Sequence, residues 1–256
     1  MYLLGRRLMR IGGEAMPEGS GVGGAPVDEA LAAAMRTDDA GQVGDLVSTL
    51  ESVAWQLGRK SGPGPADFNV AYSGSPAWEI GRPQAAFTQL AAKGAIQGRV
   101  LDVGCGTGEH ALMAASLGLP AVGIDAAPAA IEMAERKAQE RNLPARFQVH
   151  DALRLAALGE QFDTVLDSGL FHNFGDEDRT RFAESLGAVV PAGGRYFMLC
   201  FSDRQPPGYG PRRISRDEIR ASFGTGWRVD AIDPATLEVT YDPPEVAAWL
   251  ATITRT

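Results

Sequence analysis

The chain has 256 residues, 45% hydrophobic and 22% charged, enough for one sizeable domain with a real core or a domain plus a short extension. Its net charge is -8, and with no basic stretch to track a phosphate backbone a nucleic-acid acceptor is not expected. Two cysteines, Cys105 and Cys200, and three histidines never fall at ligand or bridging spacing, so neither a disulfide framework nor a metal site is expected.

Arg6, Arg7 and Arg10 interrupt the apolar opening, and no window approaches the roughly 18 apolar residues of a membrane helix. No leader, no membrane contact and a cytoplasmic location are therefore expected. Residues 11–26 are rich in Gly and Pro and read as a flexible N-terminus, 1–26. In residues 27–66, Leu31, Met35, Val43, Leu46, Leu50 and Val53 form an apolar stripe broken at Asp38 to Gly41. Two short helices follow from that pattern, as a cap, an oligomer contact or a lid. Residues 67–256 form the main domain. From Gly98 onward strands and helices alternate over short connections, the pattern of a parallel sheet with helices on both faces. Strands are expected at 100–103, 121–125, 146–149, 162–166, 194–201, 227–232 and 247–254. Helices are expected at 109–117, 128–142 (opening on Pro128), 176–190 and around Ile219.

The densest chemical signal is VLDVGCGTGE, Val100 to Glu109. Gly104, Gly106 and Gly108 make a tight strand-to-helix turn that lets the backbone approach a ligand. A dinucleotide fold spaces its glycines G-x-G-x-x-G for a pyrophosphate. Here the spacing is G-x-G-x-G, and Asp102 just before it suits a cationic amino group and repels a pyrophosphate. Asp125 closes the next strand at about the 20-residue separation at which a strand-ending acid takes ribose hydroxyls. Against a nicotinamide-dependent oxidoreductase stand the glycine spacing and Asp102.

These two segments resemble motifs I and II of the class I S-adenosylmethionine-dependent methyltransferases, over residues 68–254. The resemblance implies a Rossmann-like α/β fold: a seven-stranded, mostly parallel sheet flanked by helices, here with an N-terminal helical extension. It implies S-adenosylmethionine as cofactor, S-adenosylhomocysteine as product and no metal. Asp102 and Gly104 would lie near the methionine part, Cys105, Gly106 and Gly108 would also contact the cofactor, Asp125 would bind the ribose, and Ala126 would flank the adenine. Asp151 matches a motif III acid for the adenine amino group, with Ala152 reaching it through the backbone; the alternative for Asp151 is a helix N-cap.

The segment FDTVLDSGLFHNF, Phe162 to Phe174, resembles motif IV, which faces the acceptor. Its Asp-Ser-Gly-Leu replaces the Asn/Asp-Pro-Pro-Tyr/Phe of DNA amino-methylating relatives. Asp167 would orient acceptor or cofactor, and His172 is the candidate general base, against a purely structural histidine. Tyr72 to Gln84 (YSGSPAWEIGRPQ) resembles the W-[DE]-I-G cover of the thiopurine, thiocyanate and halide methyltransferase branch and of actinobacterial phenol and heterocycle methyltransferases. That resemblance makes Tyr72, Trp78 and Arg82 candidates for cofactor contact, with Trp78 as a packing anchor the alternative. After the fifth strand, Arg212 and Arg213 are either an anion contact or a salt-bridged surface pair.

The expected function is methyl transfer to an O, S or N atom of a small, aromatic or heterocyclic acceptor, by a monomer or homodimer. The alternatives are a carbon acceptor, a non-catalytic cofactor-binding protein, and a protein or nucleic-acid methyltransferase.

Overall fold

A computed structural model describes residues 65–72, 74–206 and 211–256 of the chain. The flexible terminus expected at 1–26 and nearly all of the helical extension expected at 27–66 lie outside the described residues. The first described helix, α1 (Pro65–Ala71), runs across the boundary expected after residue 66. Beyond it come α2 (Ala85–Ala92), β1 (Val100–Val103), α3 (Glu109–Ser116), β2 (Ala121–Asp125) and α4 (Pro128–Glu140). Then follow β3 (Arg146–Val149), a 3₁₀ turn (Ala152–Leu158), β4 (Thr164–Ser168), a second 3₁₀ turn (Phe171–Asn173) and α5 (Asp176–Val189). The chain closes with β5 (Arg195–Phe201), α6 (Arg216–Ser222), β6 (Trp227–Glu238) and β7 (Glu245–Arg255).

The seven strands form one sheet in the order β3-β2-β1-β4-β5-β7-β6, as expected of a Rossmann-like methyltransferase sheet. β1 to β5 are parallel, and β7 inserts antiparallel beside β5, Arg195 opposite Thr254 and Phe201 opposite Ala248. Burial follows position. Every residue of β1 is buried, as are all but the first of β5, because helices cover both faces of a parallel sheet. The edge strand β3 is mostly exposed.

Local chemistry explains the helix starts. Pro128 sits in the first turn of α4, where its fixed φ suits the helix and its missing N–H costs nothing. Ser215 opens α6 with a capping box, its hydroxyl accepting from the Glu218 N–H while the Glu218 carboxylate accepts from the Ser215 N–H. Asp176, Glu177 and Asp178 place negative charge at the amino end of α5, where the helix dipole favours it.

Strand boundaries depart from expectation most informatively at β4 and β6. β4 begins at Thr164 rather than at 162, because Phe162 and Asp163 donate their N–H groups to Val189 and Arg99 in the entering turn. β6 continues past 232 to Glu238, pairing Pro234 with Trp249. A proline reads as a break in sequence, yet an edge strand tolerates it because the lost N–H faces away from the ladder. Among the described residues no helix is long and apolar enough to cross a membrane.

One consequence of the strand order positions the site. β1 has β2 on one side and β4 on the other, so the chain's direction of travel across the sheet reverses there. In open α/β sheets the crevice beyond the carboxyl ends at such a reversal is where ligands bind.

Candidate active site

The turn from β1 into α3 is built on backbone that only glycine accepts without strain: φ is +67° at Gly104, +52° at Gly106 and +87° at Gly108. At Gly106 a Cβ would stand 2.7 Å from the Tyr72 hydroxyl, so the absent side chain also lets the cover segment close over the loop. Cys105 is buried and burial pushes its thiol pKa well up, which leaves it an inert packing group.

Asp102 is 1% exposed. Its Oδ2 accepts from the Ala111 N–H at 3.0 Å, while Oδ1 is buried without a hydrogen-bond partner. Burial pushes this carboxyl up to about 8. His110 Nδ1 lies 3.8 Å from Oδ1, too far for a hydrogen bond. The His110 ring is oriented from its other side, where Nε2 accepts from the Gln84 N–H at 3.1 Å, and it packs edge-on against Phe87. The orphaned oxygen is a buried acceptor whose desolvation is left uncompensated.

Asp125, at the end of β2, uses one oxygen for each of two backbone donors: Oδ2 accepts from Gly106 and Oδ1 from Ala127, both at 2.9 Å. Each oxygen keeps a lone-pair direction for a ligand hydroxyl. Burial raises its pKa against those two bonds. Ala126 lies between Asp125 and the buried Ala127. Asp151 is exposed, and its Oδ1 accepts from the Leu153 N–H at 2.9 Å as the N-cap of the 3₁₀ turn that Ala152 begins. That cap engages one of its two oxygens.

The cover segment, Tyr72 to Gln84, is irregular, as its Gly and Pro content implies. The Tyr72 hydroxyl accepts from the Trp78 indole N–H at 2.9 Å, and Trp78 stands edge-on to both Tyr72 and Phe68 while remaining 44% exposed. Burial first, and the Asp125 carboxylate second, raise the Tyr72 phenol far above its usual range. Tyr72 therefore stays protonated, and its own O–H is available to donate beside Gly106. Arg82, expected at the cofactor, is exposed, and its guanidinium pairs with both oxygens of Glu238 at the end of β6. Gln84 completes that attachment by exchanging side-chain hydrogen bonds with the Glu238 backbone N–H and C=O.

A second anchor went unforeseen. Glu79 accepts from the Thr107 hydroxyl of the glycine loop and from Lys137 of α4. Lys137 also donates to Thr107 at 2.6 Å and to Glu109 at 2.8 Å, and Arg141 clamps Glu109 through both nitrogens. Against the cost of burial, Arg141 and Lys137 hold the Glu109 pKa low. In sequence the only hint was the acid of W-E-I-G, because Lys137 lies on α4 and Arg141 caps its end, 58 residues and more away from it.

Around the ends of β4 and β5 the lining is different. Asp167 is fully buried, and its oxygens accept from Leu170 N–H (2.8 Å), Phe171 N–H (3.2 Å) and the Tyr196 hydroxyl (2.7 Å). Burial pushes it up to about 7 despite these donors. With both oxygens occupied, it holds the turn after β4 rather than reaching a ligand directly. His172 is 6% exposed, edge-on to Phe201, and its Nδ1 accepts from the Phe201 N–H at 3.1 Å. Burial, then the charges of Arg179 and Arg213, press its pKa down to about 3. Arg212 is salt-bridged to Asp176 and Glu218, and Arg213 stacks over Phe201 while donating to the Pro206 and Pro211 carbonyls. Among the described residues no three His, Cys, Asp or Glu side chains converge as a metal site would require.

A family model described as a methyltransferase domain matches residues 100–194. A 2-heptyl-1-hydroxyquinolin-4(1H)-one methyltransferase of Mycobacteroides abscessus is 39% identical over 165 residues, 63% of this chain and 73% of the relative. A structure solved for the conversion of a disulfide bond into a thioacetal group during echinomycin biosynthesis aligns with TM-score 0.69 and 36% identity, covering 75% of this chain and 93% of that one. The fold is shared with magnesium protoporphyrin IX methyltransferase from Synechocystis PCC 6803 with bound SAM, at TM-score 0.53 and 17% identity over 98% and 90% of the two chains. With this sheet, this glycine loop and these relatives, the chain belongs to the S-adenosylmethionine-dependent methyltransferases.

Proposed function

We propose that the protein transfers the methyl group of S-adenosylmethionine to an oxygen, sulfur or nitrogen atom of a small aromatic or heterocyclic acceptor. The observation that carries this reading is the glycine turn with Asp102 and Asp125 beside it, against which the turn after β4 closes, Leu170 lying 3.0 Å from where a Cβ on Gly104 would stand. The hydroxyquinolone relative, which is named for an aromatic heterocycle, supports it. The net negative charge of the chain speaks against a polymer of phosphates.

The residues present fit the cofactor. The orphaned Oδ1 of Asp102 suits its ammonium group, and the two half-used oxygens of Asp125 suit a pair of ribose hydroxyls. Gly104, Cys105, Gly106 and Gly108 offer backbone at close approach, with Ala126 beside the adenine position and Asp151 and Ala152 beyond it. Tyr72 and Trp78 cover the loop, with the Tyr72 O–H as a donor. Arg82 contributes by fastening the cover to Glu238. When bound, the sulfonium supplies an activated methyl group for in-line displacement. The protein's work is to hold the acceptor at attack distance and keep water out. Asp167 acts by fixing the turn that carries His172.

The test is S-adenosylhomocysteine formation, followed by mass spectrometry across thiols, iodide, phenols and hydroxyquinolines. A phenol or hydroxyquinoline hit is the expected result. Cofactor binding with silence across the whole panel would reject this acceptor class and favour a carbon nucleophile or a non-catalytic role.

A further inference from the structure

Two stretches far apart in the chain, the end of the cover and the start of α3, meet at the buried His110. Its Nε2 accepts from the Gln84 N–H at 3.1 Å, so a neutral ring carries its proton on Nδ1. Burial keeps the ring neutral, its pKa lowered to about 4 although Glu109 on α3 pulls the other way. Phe87 of α2, fully buried, braces the ring edge-on with centroids 4.8 Å apart. Nδ1 stands 3.8 Å from the orphaned Oδ1 of Asp102. On the other side the row continues to β6, because the Gln84 side chain bonds both backbone groups of Glu238. A polar row thus runs from β6 through Gln84 and His110 to Asp102 on β1, with one open link.

The state of Asp102 accounts for that gap. Asp125 from β2, Asp167 from β4 and Glu109 from α3 face it with carboxyl groups, and together with burial they keep it protonated at neutral pH. Cys105, in the glycine turn beside it, stays a thiol. Oδ2 already accepts from the Ala111 N–H, which leaves Oδ1 for the proton, so an O–H and an N–H face each other. Once Asp102 is ionised, Oδ1 becomes an acceptor, and the N–H opposite is the partner it lacks.

We propose that His110 is a positioning residue: its Nδ1–H completes the ionised Asp102 carboxylate and so ties the cover, through Gln84, to the glycine turn. This rests on the proposed methyl-transfer function, in which the amino-acid end of the cofactor lies at that turn. A ligand ammonium there favours the Asp102 carboxylate through space, and the carboxylate draws the Nδ1–H into a hydrogen bond. The Asp102 proton leaves to solvent while His110 keeps its own, so the ring stays neutral throughout. Closing the link stabilises the placement of Gln84 and the cover in the bound state. By linkage, a cover held in place raises affinity for the amino-acid end of the ligand.

Ring-nitrogen NMR spectra of the full-length protein, which has three histidines, test this directly. The probes are S-adenosylhomocysteine and 5′-methylthioadenosine, which lacks the amino-acid end, and His110→Gln identifies the signal. In the ligand-free protein at neutral pH, His110 should be uncharged with its proton on Nδ1. Saturation with S-adenosylhomocysteine should move that proton downfield as the bond to Asp102 forms, and saturation with 5′-methylthioadenosine should leave it in place. A ring protonated on Nε2, or an Nδ1 signal that bound S-adenosylhomocysteine does not move, overturns the proposal and leaves methyl transfer standing. The same displacement with 5′-methylthioadenosine overturns it too. His110→Phe keeps a ring against Phe87 but removes both nitrogens. It should lose about tenfold in affinity for S-adenosylhomocysteine, the worth of one hydrogen bond to a charged group, and about twofold or less for 5′-methylthioadenosine. Equal loss of both marks a packing role alone and overturns the proposal; if the variant does not fold, the wild-type spectra decide. His110→Asn, whose amide nitrogen can stand in for Nδ1, should recover part of the preference. Failure of both probes to bind would remove the proposed function, and this role with it.

Discussion

The two halves of the sheet's carboxyl edge are electrostatic opposites. From β1 to β3 the edge presents Asp102, Asp125 and Asp151, two of them raised in pKa by burial and one with an orphaned oxygen. From β4 to β5 it carries Phe171 and Phe201, with the guanidinium groups of Arg179 and Arg213 over their rings, and Asp167 is enclosed by three hydrogen-bond donors, the Leu170 and Phe171 N–H groups and the Tyr196 hydroxyl. The same βα architecture serves both halves; the difference lies in which side chains the strand ends carry. On the proposed function, a ligand with a cationic amino group and hydroxyls occupies the first half and an aromatic acceptor the second. The reactive centre of a methyl transfer would sit between them.

The strongest way to break that contrast is at Asp125. Asp125→Ala removes two acceptor oxygens and frees the Gly106 and Ala127 N–H groups. Charge-assisted hydrogen bonds contribute about 1.5–3 kcal/mol each, so affinity for S-adenosylhomocysteine should fall by roughly a hundredfold or more in calorimetry. Unchanged affinity would refute the ribose assignment.

Next is Tyr196→Phe, which takes one donor from buried Asp167. About 1–3 kcal/mol of stability should be lost, seen as a melting temperature lower by several degrees, about 2–4 °C per kcal/mol. Acceptor turnover should fall more than cofactor affinity, because the loosened turn carries His172. Equal loss of both would deny the division of the edge.

The pH dependence of stability sharpens the contrast. Asp102 and Asp167 have folded pKa values of about 8 and about 7, above the unfolded carboxylate value. Between those limits the native state binds the more protons, so these groups make stability fall as pH rises toward about 8. His110 and His172, lowered to about 4 and about 3, act oppositely, raising stability as pH climbs from there to the unfolded histidine value near 6.5. Above that value only the carboxylates act, and the ligand-free protein should lose stability between about pH 6.5 and 8. Asp102→Asn should flatten part of that fall, stabilise the free protein at pH 8 and weaken cofactor binding. A thermal-melt series in which the variant keeps the full slope would contradict the burial argument.

Smaller effects belong to the cover. Lys137→Met leaves Glu79 and Glu109 partly unpaired and should weaken cofactor binding by roughly tenfold, with Glu79→Gln less than additive on top because the two share one network. Arg82→Ala, at an exposed pair, should change affinity by about twofold or less. A larger effect from Arg82 than from Lys137 would reverse the order in which the two anchors hold the segment.

Local pattern made much of this legible. Alternation of apolar runs with helical periods located all seven strands, and G-x-G-x-G with Asp102 and Asp125 marked the half of the edge proposed for the cofactor, because those residues act through backbone shape and strand position, both written in short stretches of chain. β6 runs past the expected end at 232 because an edge strand tolerates Pro234, and edge position is a property of the sheet, not of the strand. The pairing of Arg82 with Glu238 was not legible because the two stand 156 residues apart.

By itself the sequence determined the fold class, the glycine turn and the two acids beside it, since each depends on residues within about one strand-turn-helix unit. Only the tertiary structure decided what the buried polar groups do. It turned Asp167 inward to Tyr196, put the Phe201 N–H on His172 Nδ1, and left Asp102 Oδ1 and half of the Arg179 guanidinium unpaired. The physical reason is that a side chain's charge state and free lone pairs are set by neighbours brought from distant strands, through desolvation and hydrogen bonding that residue order does not encode locally.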